Sequence, residues 1–200
     1  MGKEGATPLT YIIKKAIMMN KKNGKTIFAF DLDNTLIMTD DANNLAYADA
    51  VQKVLGMRPH LAKSTRYTRS DLKSSFPQLT DDQFDRIIKM KQGLFGSYID
   101  KTILNINLSM ILRTLSQNGN ETILLTSSHR KRAIQLCTHY DILQFFSLCY
   151  YYEDYQHDKY SFLKSEGFDL QSVVLFENDL ISSNEAIEKG IIKENIIMVS

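Results

Sequence analysis

From Lys25 onward, short apolar runs alternate with segments whose apolar residues recur every three or four positions. Thr26–Phe30, Thr122–Ser128, Ser147–Tyr152, Val173–Asp179 and Ile196–Val199 each hold an apolar run too short for a buried helix. Rich in β-branched and aromatic residues, they read as buried strands. Helical spacing lies between them: Ile106–Leu115, ended by Asn118-Gly119-Asn120, then about Arg130–His139, Ser161–Glu166 and Asn184–Lys189. Alternation of this kind predicts an α/β fold, a parallel sheet flanked by helices.

Residues from Asp40 to about Lys101 break the alternation and read as helical throughout. Asn44–Leu55 is amphipathic and ends at Gly56. Thr80-Asp81-Asp82-Gln83 is a capping box, with Phe84, Ile87, Ile88, Leu94 and Phe95 following at helical spacing. The expected organisation is a core of residues 1–38 and 104–200, with residues 39–103 forming a helical insertion after the first strand.

Candidate chemistry gathers at the strand ends. The first strand delivers Asp31 and Asp33, with Asn34 and Thr35 next; the second ends in Thr126-Ser127-Ser128 and the fourth in Glu177-Asn178-Asp179. Lys159 sits in a polar stretch ahead of a helical segment. A parallel sheet lines up the carboxyl ends of its strands along one edge, where ligands bind. Crowded carboxylates repel unless a cation lies between them or they share a proton. Carboxylates, hydroxyls and an ammonium around one crevice suit phosphoryl transfer, which needs a nucleophile, a cation and donors for phosphate oxygens. Alone, Asp31-Leu32-Asp33-Asn34-Thr35 reads equally well as a strand ending in a turn.

These four segments, in this order, resemble the motifs of the haloacid dehalogenase superfamily of aspartate-nucleophile phosphohydrolases. Asp31-Leu32-Asp33-Asn34-Thr35 is similar to the first motif, Thr126-Ser127 to the second, Lys159 to the third and Phe176-Glu177-Asn178-Asp179 to the fourth. The resemblance implies a Rossmann-like core with a small helical cap, and a phosphatase acting on a small phosphorylated metabolite. It implies Asp31 as nucleophile, Asp33 as general acid and base, and Thr126 and Lys159 on the phosphoryl oxygens. Ser127 and, from the cap, Arg69 would contact substrate. Mg²⁺ would be held by the Asp31 carboxylate, the Asp33 carbonyl and the fourth-motif side chains. There the sequence departs from its relatives: Asn178 stands where an Asp ligand is usual, and Glu177 or, with a shift of one residue, Asp179 could supply the carboxylate. Lys159 lacks the proline that follows it in many relatives, and Lys164 is the runner-up. A sugar-phosphate mutase shares the same aspartyl-phosphate step. A dehalogenase would not keep Asp33. A non-catalytic phospholigand-binding or partner module is the alternative that Asn178 favours.

Composition narrows the field. The chain has 200 residues, 44% of them hydrophobic, and a net charge of +1, which suits one folded domain or a core with an insertion. No apolar stretch approaches the roughly 20 residues of a membrane span. Residues 1–25 carry six lysines against Glu4, a net +5 that leaves −4 for the remainder. Their apolar residues predict a helix packed on the core, so neither nucleic acid nor membrane is the expected partner. Residues 58–73 are also basic, with Asp71 as their one acid, and read as a solvated face unless Arg69 grips an anion. Cys137 and Cys149 lack ligand spacing and are expected as buried free thiols, which fits a reducing cytoplasm. The four histidines form no metal motif; His129 stands out for its place beside Thr126-Ser127-Ser128. Nothing in the sequence specifies an oligomeric state.

Overall fold

The computed structural model describes residues 26–59, 65–155 and 158–199. The expected N-terminal helix, His60, Lys63 and His157 lie outside the described residues. In chain order the elements begin with β1 (Ile27–Phe30), β2 (Ile37–Met38), α1 (Asp40–Leu55), α2 (Arg69–Ser75), α3 (Asp81–Leu94) and β3 (Ile103–Leu104). They continue with α4 (Ile106–Gln117), β4 (Glu121–Leu125), α5 (Arg130–His139), β5 (Leu148–Tyr150) and α6 (Tyr152–Tyr155). Last come α7 (Lys159–Ser165), β6 (Val173–Glu177), α8 (Leu180–Lys189) and β7 (Ile196–Met198). The described residues divide into two compact units, one holding those from 26 to Leu36 and from Leu104 onward, the other those between Ile37 and Ile103.

The first unit is the α/β fold that the alternation predicts. Its five strands are parallel, in the order β5-β4-β1-β6-β7. On one face Ile27, Ala29, Ile123, Leu125, Val173 and Leu175 pack with Tyr160 and Leu163 of α7 and Ala186 of α8. Elsewhere in the core Phe30 and Phe176 stack at 4.4 Å, with Phe146 edge-on to Phe30 at 6.1 Å. Burial of each such large side chain is worth about 1.5–3 kcal/mol. That explains why a strand buried on both faces reads as an uninterrupted apolar run.

Register positions the site. Phe30 stands opposite Leu124 on one side and Phe176 on the other, so β1, β4 and β6 end side by side. The ladder runs one bond further, from Asp31 N–H to the Phe176 carbonyl at 3.0 Å. The chain then turns, with Leu36 N–H bonded to the Leu32 carbonyl at 3.0 Å and Asn34 at φ 59°. Asparagine tolerates this left-handed conformation better than most residues. Asn34 is thus the turn residue that brings Thr35 back toward Asp31.

The second unit is helical apart from its short strands. Tyr47, Ala50 and Val51 of α1 form a core with Leu72 of α2 and Ile87 of α3. The expected capping box is present: Thr80 Oγ1 accepts the Gln83 amide and the Gln83 side chain accepts the Thr80 amide. A second box, Thr68 with Asp71, starts α2. Gly56 closes α1 at φ 74°. The buried Asn43 and Asn44 bind the Thr65–Tyr67 segment: Asn43 Nδ2 donates to the Tyr67 carbonyl at 2.9 Å, and Asn44 Nδ2 to the Thr65 carbonyl at 2.8 Å. These side-chain amides serve backbone groups of a segment outside helix and strand.

Candidate active site

Asp31 lies at the carboxyl end of the central strand and is buried. Thr35 Oγ1 is 3.1 Å from Asp31 Oδ2, and Lys159 Nζ is 3.7 Å from Oδ1. Burial pushes the Asp31 carboxyl up to about 7; Lys159 opposes the rise, while Glu177 and Asp33 add to it. The three carboxylates thus share one electrostatic environment, which favours a cation.

Lys159 opens α7 and is itself buried. Its ammonium donates to Glu177 Oε2 at 2.8 Å. Burial alone would discharge it, but Asp31, Tyr160 and Glu177 hold its pKa above the ordinary lysine value. Lys164 lies a turn further along α7 and is exposed. Between the third-motif candidates, the structure therefore brings Lys159 to the carboxylates.

Glu177 ends β6 fully buried. Its Oε1 accepts the Asn178 and Asp179 amides at 3.0 and 3.2 Å, and its Oε2 accepts Ser182 Oγ at 2.7 Å besides Lys159. Burial would raise its pKa, yet Lys159 and these donors lower it. Asn178 turns its Oδ1 to Thr35 Oγ1 at 3.0 Å. Asp179 is exposed and caps α8, its Oδ1 accepting the Ile181 amide at 2.7 Å.

Thr126 is buried where β4 ends, its amide bonded to the Tyr150 carbonyl and its Oγ1 accepting the Ser128 amide at 3.1 Å. Ser127 is exposed and accepts from Tyr155 OH at 3.3 Å. Arg69 belongs to the other unit, exposed at the first residue of α2. His129 pairs with Glu153 at 3.0 Å, and Glu153 also accepts the Arg130 amide, satisfying an open N–H at the start of α5. Cys137 is buried and Cys149 only partly so, both as free thiols.

Asp33 has partners that the motifs did not indicate. Arg132 of α5 grips both its carboxylate oxygens, Nη1 to Oδ2 at 2.9 Å and Nη2 to Oδ1. Ser128 Oγ donates to Asp33 Oδ2 and also contacts Arg132 Nη1. One signal was available in the sequence. Arg130, Lys131 and Arg132 crowd three cations into the first turn of a helix, the end whose dipole disfavours positive charge. Such a local misfit calls for an anion nearby.

The side chains fit a hard cation as follows. Thr35 has one hydroxyl hydrogen, yet Asp31 Oδ2 and Asn178 Oδ1 both converge on its oxygen. One of these two acceptors therefore lacks that proton, and oxygen donors of this kind suit Mg²⁺. Among the described residues, no group of three His, Cys, Asp or Glu side chains is placed to hold a metal. Both Glu177 oxygens already face amides, a hydroxyl and an ammonium.

Solved structures share this fold. A haloacid dehalogenase-like family hydrolase from Streptococcus pneumoniae superposes with TM-score 0.71 at 20% identity, covering 88% of this chain and 85% of its own. CbbY from Rhodobacter sphaeroides, in complex with phosphate, gives 0.69 at 14% identity, with 84% of each chain covered. A "predicted phosphoglycolate phosphatase" from Haemophilus somnus gives 0.70 at 16%, again covering 84% of each. No curated protein sequence matches the chain. The family model of haloacid dehalogenase-like hydrolases matches residues 28–191, and the chain belongs to that family.

Proposed function

We propose that this hydrolase is a Mg²⁺-dependent phosphatase that cleaves a small phosphorylated metabolite through an aspartyl-phosphate on Asp31. One observation carries the reading. Asp31 ends the central strand 3.7 Å from the buried Lys159 ammonium, with Asp33 two residues on and Thr126 at the end of the adjacent strand. In the first step Asp31 Oδ attacks phosphorus, the ester P–O bond breaks, and the departing oxygen takes a proton from Asp33. In the second, Asp33 removes a proton from water, whose oxygen attacks phosphorus and releases phosphate from Asp31. Thr126 and Lys159 stabilise negative charge on the phosphoryl oxygens. Mg²⁺, held by Asp31, the Asp33 carbonyl and Asn178, would offset the charge on the phosphoryl group and the carboxylates. Glu177 orients Lys159, and Asp179 starts α8. The helical unit is read as the cap, with Arg69 as its anion-binding residue and Ser127 as a second substrate contact.

The test is a screen of phosphorylated metabolites with Mg²⁺, with Asp31→Asn as control. That variant keeps the side-chain shape and loses the nucleophile, so turnover should vanish while the fold persists. Near-normal hydrolysis by Asp31→Asn would sink the mechanism. Asn178, an amide where relatives carry a carboxylate, favours a second reading as a phospholigand-binding module. Saturable binding of phosphate esters with no phosphate release at any Mg²⁺ concentration would select it.

A further inference from the structure

The ion pair between Asp33 and Arg132 is the feature that the proposed chemistry leaves unused. Their side chains are 19% and 17% exposed, so neither charge is screened as a surface pair would be. The guanidinium meets the carboxylate as a fork, and Ser128 Oγ touches both partners. A bidentate arginine fixes the plane as well as the position of a carboxylate. A lysine offers a point charge and fixes neither. Arg132 is held in turn by α5, whose first turn is anchored by Glu153 on the Arg130 amide and Asp154 on the Arg130 guanidinium at 2.6 Å.

We propose that Arg132 is a positioning residue for Asp33: it aims the carboxyl group at the departing ester oxygen. The bond that breaks is the Asp33 O–H and the bond that forms is the O–H of the leaving alcohol; Arg132 itself exchanges nothing. This inference rests on the phosphatase reading above.

The consequence is a dependence on leaving group. An alkoxide departs only when protonated, whereas p-nitrophenolate leaves without help. The ratio kcat/KM covers only the steps through departure of the alcohol, so later hydrolysis of the aspartyl-phosphate does not enter it. Losing general acid assistance costs about 10²–10⁴-fold. Arg132→Ala should therefore lower kcat/KM for glycerol 2-phosphate by about 10²-fold, the lower end of that range, because Asp33 remains but is misaimed. The same variant should leave p-nitrophenyl phosphate nearly unchanged. Arg132→Lys should fall between wild type and Arg132→Ala on the alkyl ester. In an Asp33→Asn background, Arg132→Ala should add no further loss, because the two residues act as one unit.

The experiment measures kcat/KM for both esters with Mg²⁺ across these variants. Should Arg132→Ala fail to fold, Arg132→Lys and Arg132→Gln carry the same comparison. Equal losses on both esters, or losses that multiply with Asp33→Asn, would overturn the proposal and make Arg132 structural or phosphate-binding. A gain on the alkyl ester would overturn it too, exposing the pair as a latch that restrains Asp33. Wild-type protein inactive on both esters, and on the wider screen, would remove the phosphatase reading and this proposal together.

Discussion

Removing the Lys159 side-chain charge perturbs the most buried ion pair described at the site. In Lys159→Met, Glu177 and Asp31 lose their shared cation, while the stem of the side chain is replaced nearly in kind. Lys159 and Glu177 side chains are 7% and 2% exposed, 2.8 Å apart. Breaking such a pair by deleting one partner costs about 3–5 kcal/mol, because an uncompensated charge stays buried. Glu177 keeps two amides and Ser182, which places the expected loss at about 3 kcal/mol, the low end of that range. At about 2–4 °C per kcal/mol for a chain of this size, the melting temperature should fall by roughly 6–12 °C.

The loss should depend on pH. In the wild type Glu177 has its pKa lowered from the ordinary 4.5, so its contribution is present above that value and fades as pH falls through the lowered one. Without Lys159, burial raises the Glu177 pKa instead. Its penalty is then full at pH 7.5 and relaxes as acid neutralises the carboxylate. Urea unfolding followed by circular dichroism should show a large gap between wild type and Lys159→Met at pH 7.5 and a smaller one at pH 5. Adding Glu177→Gln to Lys159→Met should recover stability, since the orphaned charge disappears. A loss below about 1 kcal/mol, the scale of an exposed pair, or one that is the same at both pH values, would refute the argument.

Three further outcomes are expected. Asp33→Asn should cut turnover by about 10²–10⁴-fold with little change in Mg²⁺ affinity, measured by titration of the rate with metal; weaker Mg²⁺ binding at an unchanged maximal rate would show the roles misassigned. Asn178→Asp should tighten Mg²⁺ in calorimetry, because a full charge replaces an amide dipole, whereas Asp179→Ala should leave Mg²⁺ alone and cost about 1 kcal/mol through loss of the α8 cap; the reverse ranking would make Asp179 the ligand. Thr80→Ala should destabilise by about 1 kcal/mol with the cap of α3 removed, and an unchanged unfolding midpoint would deny the capping box its role.

The central strands were legible because burial on both faces leaves a run such as Ile27–Phe30 no polar position. Helix starts were less so. α8 begins at Leu180 rather than near Asn184, because Leu180 and Ile181 are exposed and break the stripe that periodicity detects. α1 starts at Asp40 rather than Asn44, since its buried Asn43 and Asn44 read as polar in sequence although they serve the interior. The strands also end sooner than their apolar runs suggest: β4 stops at Leu125 and β6 at Glu177, and the residues beyond form turns that place site side chains. The Asp33–Arg132 pair joins residues 99 apart; the three cations that open α5 signal an anion nearby, but no local pattern names Asp33 as that anion.

The strand order has a consequence for how the chain reaches its folded state. β1 lies between β4 and β6, which follow it by more than ninety residues. During synthesis Ile27–Phe30 therefore emerges long before either neighbour exists. Both its edges offer unpaired amides and carbonyls beside Phe28 and Phe30, a template for pairing with another chain. At about 5–20 residues per second, that interval lasts several seconds, and the helical unit is made within it. Closing β1 between two such distant partners carries a large loop-closure cost, which slows folding. Asp31 takes its place beside Lys159 and Glu177 only when that closure is complete, so the site and the centre of the sheet form in one late event.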